Sequence, residues 1–271
     1  LFETAPELSS GIGNLVFTPV ANANGAPYAS FTFSVQDSAG SFDSAANTIT
    51  MNVTPQPDTA VIGGDAAGAV VEDGTLADSG ALTVADPDAG QAAFNPQTGS
   101  AGTYGSFSID SGGAWTYNLA NASLLVQALA VGQQVTDTFA VTTIDGTSRN
   151  VVVTITGTND VPVVSNATAT TTENTTLAGN VPAGSDIDGT VATYALASGV
   201  GANNGALTFN ADGSYSFNPN GNFDTLGVGQ SRDVSFTYTA TDNSGGVSLP
   251  ATVTITVTGA NDAPTGADAS V

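Results

Sequence analysis

Apolar and hydroxyl residues alternate along much of this chain. Val153 and Ile155 are separated by threonines, and Val253, Ile255 and Val257 repeat the arrangement a hundred residues on. A period of two belongs to a half-buried β-strand, because successive side chains point to opposite faces. Gly, Asn and Asp clusters separate such runs. "DSGGAW" over Asp110–Trp115 and "NADGSY" over Asn210–Tyr215 predict hairpin turns. No segment sustains a helical period, although "NASLLVQAL" over Asn121–Leu129 is long enough for one turn. The prediction is an all-β chain. Trp115, Tyr117 and Phe107 fall on alternating positions and belong most simply to a core; a sugar-stacking platform is the alternative.

The pattern also repeats on a longer scale. Glu72 in "VVEDG" is answered by Glu173 in "TTENT", 101 residues later, and Asp86 with Asp88 by Asp186 with Asp188, 100 later. Asp145 is answered by Asp242, 97 later, and Asn159–Asp160 by Asn261–Asp262, 102 later. A period near 100 residues is a whole domain, so the chain is a tandem array. "FTFSVQDSAG" with Asp37, and "TITMNVTPQPD" ending at Asp58, match the later part of the same unit. The expected organisation is a C-terminal part of a repeat over 1–57, full units over 58–160 and 161–262, and the start of another at 263–271. The opening "LFETAPEL" falls mid-pattern, as in a segment excised from a longer array. About seven strands per unit without helices predict antiparallel immunoglobulin-like β-sandwiches in an elongated row.

Charge changes this picture. Of 271 residues, 24 are acidic and two basic, Arg149 and Arg232; His and Cys are absent, and the formal net charge is −22. Such a chain repels nucleic-acid phosphate and anionic membrane surfaces. No apolar run approaches the roughly 18 residues of a membrane span. Without Cys there is neither a disulfide nor a thiolate metal site, and without His the commonest general base is missing. Low charge density with abundant Gly, Ser, Thr and Asn also suits a disordered linker, but 41% hydrophobic residues in alternating runs favour a fold. Unbalanced carboxylates repel in a compact state, so a cation is expected, calcium before all others.

Strand counting says where the acids go. With an odd number of strands, the first begins at one end of the sandwich and the last finishes at the other. Asn159 and Asp160 then lie at the foot of one full unit and the head of the next. Asp186, Asp188 and Asp242 fall at that head, and Glu72 and Asp137 reach the same crossing from above. Asp58, Asp86, Asp88 and Asp145 should form the equivalent group one crossing earlier. Glu173, Asp233, Asn261 and Asp262 should form an incomplete one at the end. Calcium takes six to eight oxygens, whereas magnesium demands a tight octahedron and keeps its waters. The plain reading of any single Asp-x-Asp-Gly is a turn; four landmarks kept in two copies say more.

In order, Glu173, the Asp186–Asp188 pair, Asp242 in "TATD" and "GANDAP" resemble the calcium motifs of cadherin repeats. Asp224 in "NFDTL" falls near the family's Asp-x-Glu element, but the Glu is missing, which leaves its role open. Residues 58–160 resemble the VCBS repeat of very large bacterial adhesins, through "VVEDG", "VADPDAG", "YGSFSIDSGGAWTY" and "TGTNDVP". Residues 161–262 and 1–57 resemble bacterial cadherin-like repeats. The resemblance implies an RTX-type adhesin, exported by a Gram-negative bacterium to its surface, that promotes adhesion and biofilm formation.

Two further functions compete with a calcium-rigidified extender. A calcium-dependent lectin would bind surface polysaccharide and needs an exposed aromatic; Tyr104, Trp115, Tyr117, Tyr215 and Phe223 are the candidates. A glycosidase would need facing carboxylates, and Asp86 and Asp88, two apart at a turn, face each other poorly, so no enzyme is expected. The partners expected are neighbouring repeats, surface polysaccharide or a like adhesin on another cell, with no nucleic acid and no insertion of this segment into a membrane.

Overall fold

The computed structural model describes residues 16–262. Residues 1–15 of the expected partial unit, and the tail from 263 onward expected to begin another repeat, lie outside the described residues. The first strands, β1 (Gly25–Phe33) and β2 (Asn47–Val53), form an antiparallel hairpin. None of residues 16–57 is buried, and Val20 and Phe42 are 72% and 63% exposed.

The first full repeat contains β3 (Val61–Gly64), β4 (Ala67–Val71), β5 (Ala77–Ala85), β6 (Gln97–Ala101), β7 (Gly105–Ile109), β8 (Ala114–Leu119), β9 (Gln134–Thr142) and β10 (Ser148–Thr156). Its one helix, α1 (Leu124–Gln127), lies in the segment expected to hold a single turn, with Ser123 as its N-cap. The strands make two sheets, β3-β5-β8-β7-β6 and β4-β10-β9. The first strand is split: after Gly64, whose φ of 84° suits glycine, the chain leaves β3 in one sheet and enters β4 in the other. The second full repeat contains β11 (Ala167–Thr172), β12 (Leu177–Asn180), β13 (Val191–Ser198), β14 (Ala206–Phe209), β15 (Ser214–Asn218), β16 (Ser231–Asp242) and β17 (Ala251–Thr258). Its sheets are β11-β17-β16-β13 and β12-β15-β14.

The sandwiches are antiparallel except at one edge. In each repeat the opening strand runs parallel to the last, β4 beside β10 and β11 beside β17. That pairing places the end of the opening strand beside the end of the last, at the exit to the next repeat. Glu72 and Glu173, each one residue past β4 and β11, therefore stand against the outgoing linkers.

Each core collects inward positions from both sheets. Phe107 of β7 stacks on Phe139 of β9 at 4.7 Å between ring centroids, and Trp115 is 1% exposed with its Nε1 donating to the Asp65 carbonyl at 2.8 Å. The partner on the indole nitrogen is what a buried Trp requires. In the second core Tyr215, Phe217, Phe236 and Tyr238 surround Val253, Ile255 and Val257. All five aromatics considered as sugar platforms face inward: Trp115, Tyr117, Tyr215 and Phe223 are buried, and Tyr104 packs half-buried on the first core.

Candidate functional site

The crossing at Asp160 is assembled from three pieces of chain. From above comes Glu72, fully buried. Its main-chain N–H donates to the Thr156 carbonyl at 3.0 Å, its Oε2 accepts from the Thr158 N–H at 3.0 Å, and its Oε1 accepts from Gln127 at 3.1 Å. Beside it Asp73, in the left-handed region at φ 52°, is held by Asn121 at 2.6 Å. From below comes Asp242, the last residue of β16 and 3% exposed. Its Oδ1 accepts from the N–H groups of Ser244 and Gly246 at 2.7 and 2.9 Å, which closes the "DNSGG" turn. The linker itself supplies Asn159, whose Nδ2 donates to Asp242 Oδ2 at 2.9 Å. Asn243 then staples the Asp186–Asp188 turn alongside: its Oδ1 accepts from the Thr190 N–H at 2.7 Å, and its own N–H donates to the Thr190 carbonyl at 3.0 Å.

The charges at this crossing crowd one another. Burial pushes the Glu72 carboxyl above its ordinary value, and the charges of Asp160, Asp73 and Asp188 add to the shift against the pull of the Thr158 N–H. Burial likewise raises Asp160, with Asp73, Asp188 and Asp186 contributing, and raises Asp186, with Asp188 and Asp242 contributing. Asp242 is held below its usual range, chiefly by the Asn159 hydrogen bond. Four buried oxygens here have no donor at all: Asp160 Oδ2, both oxygens of Asp186, and Asp188 Oδ1. An unpartnered buried acceptor costs free energy, and no basic side chain relieves it. Arg149 donates to the Ile62 carbonyl at 2.8 Å, while Arg232 lies 4.0 Å above the Phe223 ring and donates to the carbonyls of Asn203 and Asn222. Among the described residues no three acidic side chains close on a single point; the acids ring the crossing instead.

The crossing at Asp58 uses the corresponding residues differently. Asp145 is held well below the carboxylate range, first by the Thr143 hydroxyl, then by the Ala60 N–H and by Thr147. Its Oδ2 accepts from Ala60 at 2.9 Å and from the Thr147 hydroxyl at 2.7 Å; its Oδ1 accepts from the Thr147 N–H at 3.0 Å and from Thr143. Asp88 Oδ2 accepts from the Asp58 N–H at 2.8 Å, and Asp86 Oδ1 from the Asp88 N–H at 2.8 Å. Among the buried oxygens of this group, Asp86 Oδ2 is left without a donor.

At the last group Glu173, 2% exposed, accepts the Ala260 N–H on Oε1 at 2.6 Å, and its Oε2 has no donor. Asn261, Asp262 and Asp224 are exposed.

Two expected members stand elsewhere. Asp137 faces the first core, 4% exposed, and its carboxylate accepts four hydrogen bonds: the N–H groups of Thr103, Tyr104 and Gly105 at 2.8, 3.0 and 3.1 Å, and the Tyr117 hydroxyl at 2.9 Å. It fastens the turn before β7 and is not among the residues that crowd the Asp160 crossing. Asp233 lies exposed on the outer face of β16 and accepts from the Thr256 hydroxyl at 2.7 Å. The cause is strand parity. Asp137 pairs with Val153, and at the equivalent rung Val234 pairs with Ile255, so Asp233 sits one residue off and faces outward. Sequence reading missed Asp73, Gln127 and Asn243. Asp73 alone left a signal, as the second acid of "VVEDG".

Comparison with known proteins narrows what this arrangement belongs to. The model of the bacterial cadherin-like domain matches residues 57–157 and again residues 159–259. The chain belongs to the bacterial cadherin-like domain family. Similar solved structures include extracellular domains 22–24 of mouse cadherin-23, at 17% identity over 85% of this chain and 73% of that one, with a TM-score of 0.45. Domains 1–4 of protocadherin gamma B7 are 14% identical over 82% of this chain and 56% of that one, with a TM-score of 0.44. The chain thus spans little more than half the length of that protocadherin fragment. No curated protein matches. The chain carries two adjacent bacterial cadherin-like domains. Among the described residues no helix is long and apolar enough to cross a membrane.

Proposed function

We propose that this chain is a calcium-stiffened extender segment of a large bacterial surface adhesin, of the RTX type that carries VCBS and cadherin-like repeats in series and promotes adhesion and biofilm formation. The observation that carries the reading is the set of four donor-less carboxylate oxygens at the Asp160 crossing, on Asp160, Asp186 and Asp188. A hard cation with six to eight oxygen ligands suits such a set, and calcium tolerates the irregular geometry that magnesium rejects. Asp160, Asp186, Asp188 and Asp242, with Glu72 and Asn159, are the residues that would hold it. When bound, calcium supplies positive charge and a shared coordination shell across the two repeats. The protein's own part is to orient: Glu72 clasps the outgoing linker, Asn243 fixes the Asp186–Asp188 turn beside Asp242, and Asp160 arrives on the linker between them. Drawn together, these groups would hold one sandwich in line with the next. β16, at 12 residues, sets the length of a repeat at about 40 Å for a rise of about 3.3 Å per residue, so a long array reaches far from the cell.

The test is calcium titration followed by small-angle scattering. In EDTA the distribution of maximum dimension is expected to broaden, and calcium to narrow it, while far-ultraviolet dichroism stays constant. Asp188→Ala should abolish the narrowing at the Asp160 crossing. A scattering profile indifferent to calcium would sink the reading.

A further inference from the structure

The opening strands of the two full repeats share a place and a direction, but their outer rims differ. The N–H groups of Glu72 and Glu173 donate inward to the last strands, on the carbonyls of Thr156 and Thr258 at 3.0 Å each. Backbone groups alternate in direction along a paired strand. Ala67, Ala69 and Val71 of β4, and Thr168, Thr170 and Thr172 of β11, therefore turn theirs away from the last strand, toward the rim of the sheet.

In the first repeat all three rim N–H groups are answered. Ala67 donates to Asp65 Oδ1 at 3.1 Å, Ala69 to Asp78 Oδ2 at 2.7 Å, and Val71 to the Thr75 carbonyl at 2.9 Å. Asp78 reaches over from β5 in the opposite sheet, two residues before the glycine that pairs with Trp115. Two residues before the glycine that pairs with Tyr215 stands Leu177, which packs on the second core and offers no acceptor. Among the described residues nothing answers the N–H groups of Thr168, Thr170 and Thr172, and all three residues are exposed.

An open strand edge is a template for another strand, and proteins usually guard it with charge, proline, a bulge or shortness. Ala167–Thr172 has no charge, no proline and no register shift. Other rims of the two full repeats are guarded. β6 and β13 carry register shifts, Tyr194 of β13 donates its N–H to the Ala211 carbonyl at 2.9 Å, and the Ala140 carbonyl of β9 accepts the Gln97 amide at 2.8 Å. β3, β12 and β14 are only four residues each.

We propose that β11 is a pairing edge whose partner is β11 of a second copy of this chain. The edge is self-complementary. A two-fold axis normal to the sheet at Thr170 lays the two strands antiparallel, with Thr170 opposite Thr170 and Thr168 opposite Thr172. Each such rung exchanges two N–H···O bonds and sets threonine beside threonine on the outer face, a favourable cross-strand pair. Charge selects this place for a like copy. Two chains of net charge −22 repel wherever their acids meet, but neither β11 nor the adjacent β17 carries an acid. Glu173 beyond it is buried, and Asp233 stands a further strand away, opposite Thr256. The pairing uses no ion and does not rest on the function proposed above. Six residues of edge cover far less than the roughly 800 Å² per partner of a stable complex, so a single pair is weak and forms only as concentration rises.

Amide-resolved NMR on the whole chain in EDTA tests this. As concentration rises, the amide signals of Thr168, Thr170 and Thr172 should shift, and those of Ala67, Ala69 and Val71 should stay in place. Thr170→Pro removes one rim N–H while the ladder to β17 stays whole, and it should abolish the shifts at Thr168 and Thr172. The chain has no cysteine, so Thr170→Cys reports the register. Two copies of that position lie about 5.5 Å apart between Cα atoms, within disulfide reach, and oxidation should yield a covalent dimer many times faster than with Ala69→Cys. β11 signals that hold still at every concentration would overturn the proposal. Shifts that persist in Thr170→Pro, or equal cross-linking at 69 and 170, would overturn it too, because either places the contact elsewhere. If Thr170→Pro fails to fold, the cross-linking comparison decides.

Discussion

In the repeat built from β3–β10 the cross-strand partner of Trp115 is Gly80; in the repeat built from β11–β17 the partner of Tyr215 is Gly179. In both, a large ring lies across a glycine that leaves room for it, and in both the chain then closes over an apolar core. The carboxylates do not follow this likeness. In the first repeat Asp137 and Asp145 are covered by N–H and O–H donors and Asp86 keeps one bare oxygen; in the second Asp186, Asp188 and Glu173 keep oxygens that nothing covers. One fold thus uses its acids in two ways, as internal fasteners or as open acceptors. The donors nearby make the difference: Tyr117, Thr143, Thr147 and the N–H of Ala60 have no full counterpart in the second copy.

The strongest test of that contrast is at Asp137. Asp137→Ala would strand three N–H groups and a hydroxyl in the core, at a cost of about 4 kcal/mol, and the first repeat should melt ahead of the second in calorimetry. Asp233→Ala, on the exposed face of β16, should change stability by less than about 0.5 kcal/mol. A cost at Asp137 no larger than that at Asp233 would erase the distinction between fastener and open acceptor.

Calcium should divide the repeats the other way. Binding only to the folded crossing, it should stabilise by about 2.7 kcal/mol at a hundredfold excess over its dissociation constant, read as a calcium-dependent shift in the melting of the second repeat. The likeness of the cores has its own test. A Cβ at position 80 would lie 2.5 Å from Trp115 Cζ2, and one at position 179 would lie 2.7 Å from Tyr215 Cζ. Gly80→Ala and Gly179→Ala should each cost about 1–3 kcal/mol. The former should cost more, because the Asp65 carbonyl fixes the indole. Equal melting temperatures for Gly179→Ala and the parent would separate the cores as well.

The alternation of Val and Ile with Thr revealed the strands, and the hundred-residue landmarks revealed the repeats, because both are local or periodic. The gathering of Glu72, Asp160, Asp186, Asp188 and Asp242 at one crossing was legible too, since strand direction alone places them. Asp137 was not. Whether an acid within a strand faces in or out turns on a single residue of register, and Asp137 and Asp233 fall on opposite sides of it. Nor was the full covering of Asp145 legible, because one of its four hydrogen bonds comes from an N–H in the linker, present at Ala60 and missing at Pro162. Residues 16–57 show how far pattern alone carries a fold: β1 and β2 pair as their alternation predicts, yet they bury nothing.

The smallest expected effect concerns pH, and its sign separates the two kinds of acid. Glu72, Asp160 and Asp186 have folded values raised by burial and crowding. The folded chain therefore holds their protons more tightly than the unfolded chain. Without calcium, stability should rise as pH falls from neutral through those folded values toward the ordinary carboxylate range near about 4. Asp145 and Asp242 have lowered values. Their contribution is complete above the ordinary range and is lost as pH falls below it. In EDTA the melting temperature should therefore pass through a maximum in mild acid. Since Asp160 and Asp186 are partly open to solvent, the gain should stay below about 1 kcal/mol. Saturating calcium keeps the same carboxylates ionised, so the maximum should vanish and stability should only fall with acid. Calorimetry at pH values between about 3.5 and 7, with and without EDTA, reads both curves. A melting temperature that falls steadily from neutral pH in EDTA would mean that the carboxylates at the 160 crossing do not repel one another, and that the two repeats use their acids alike.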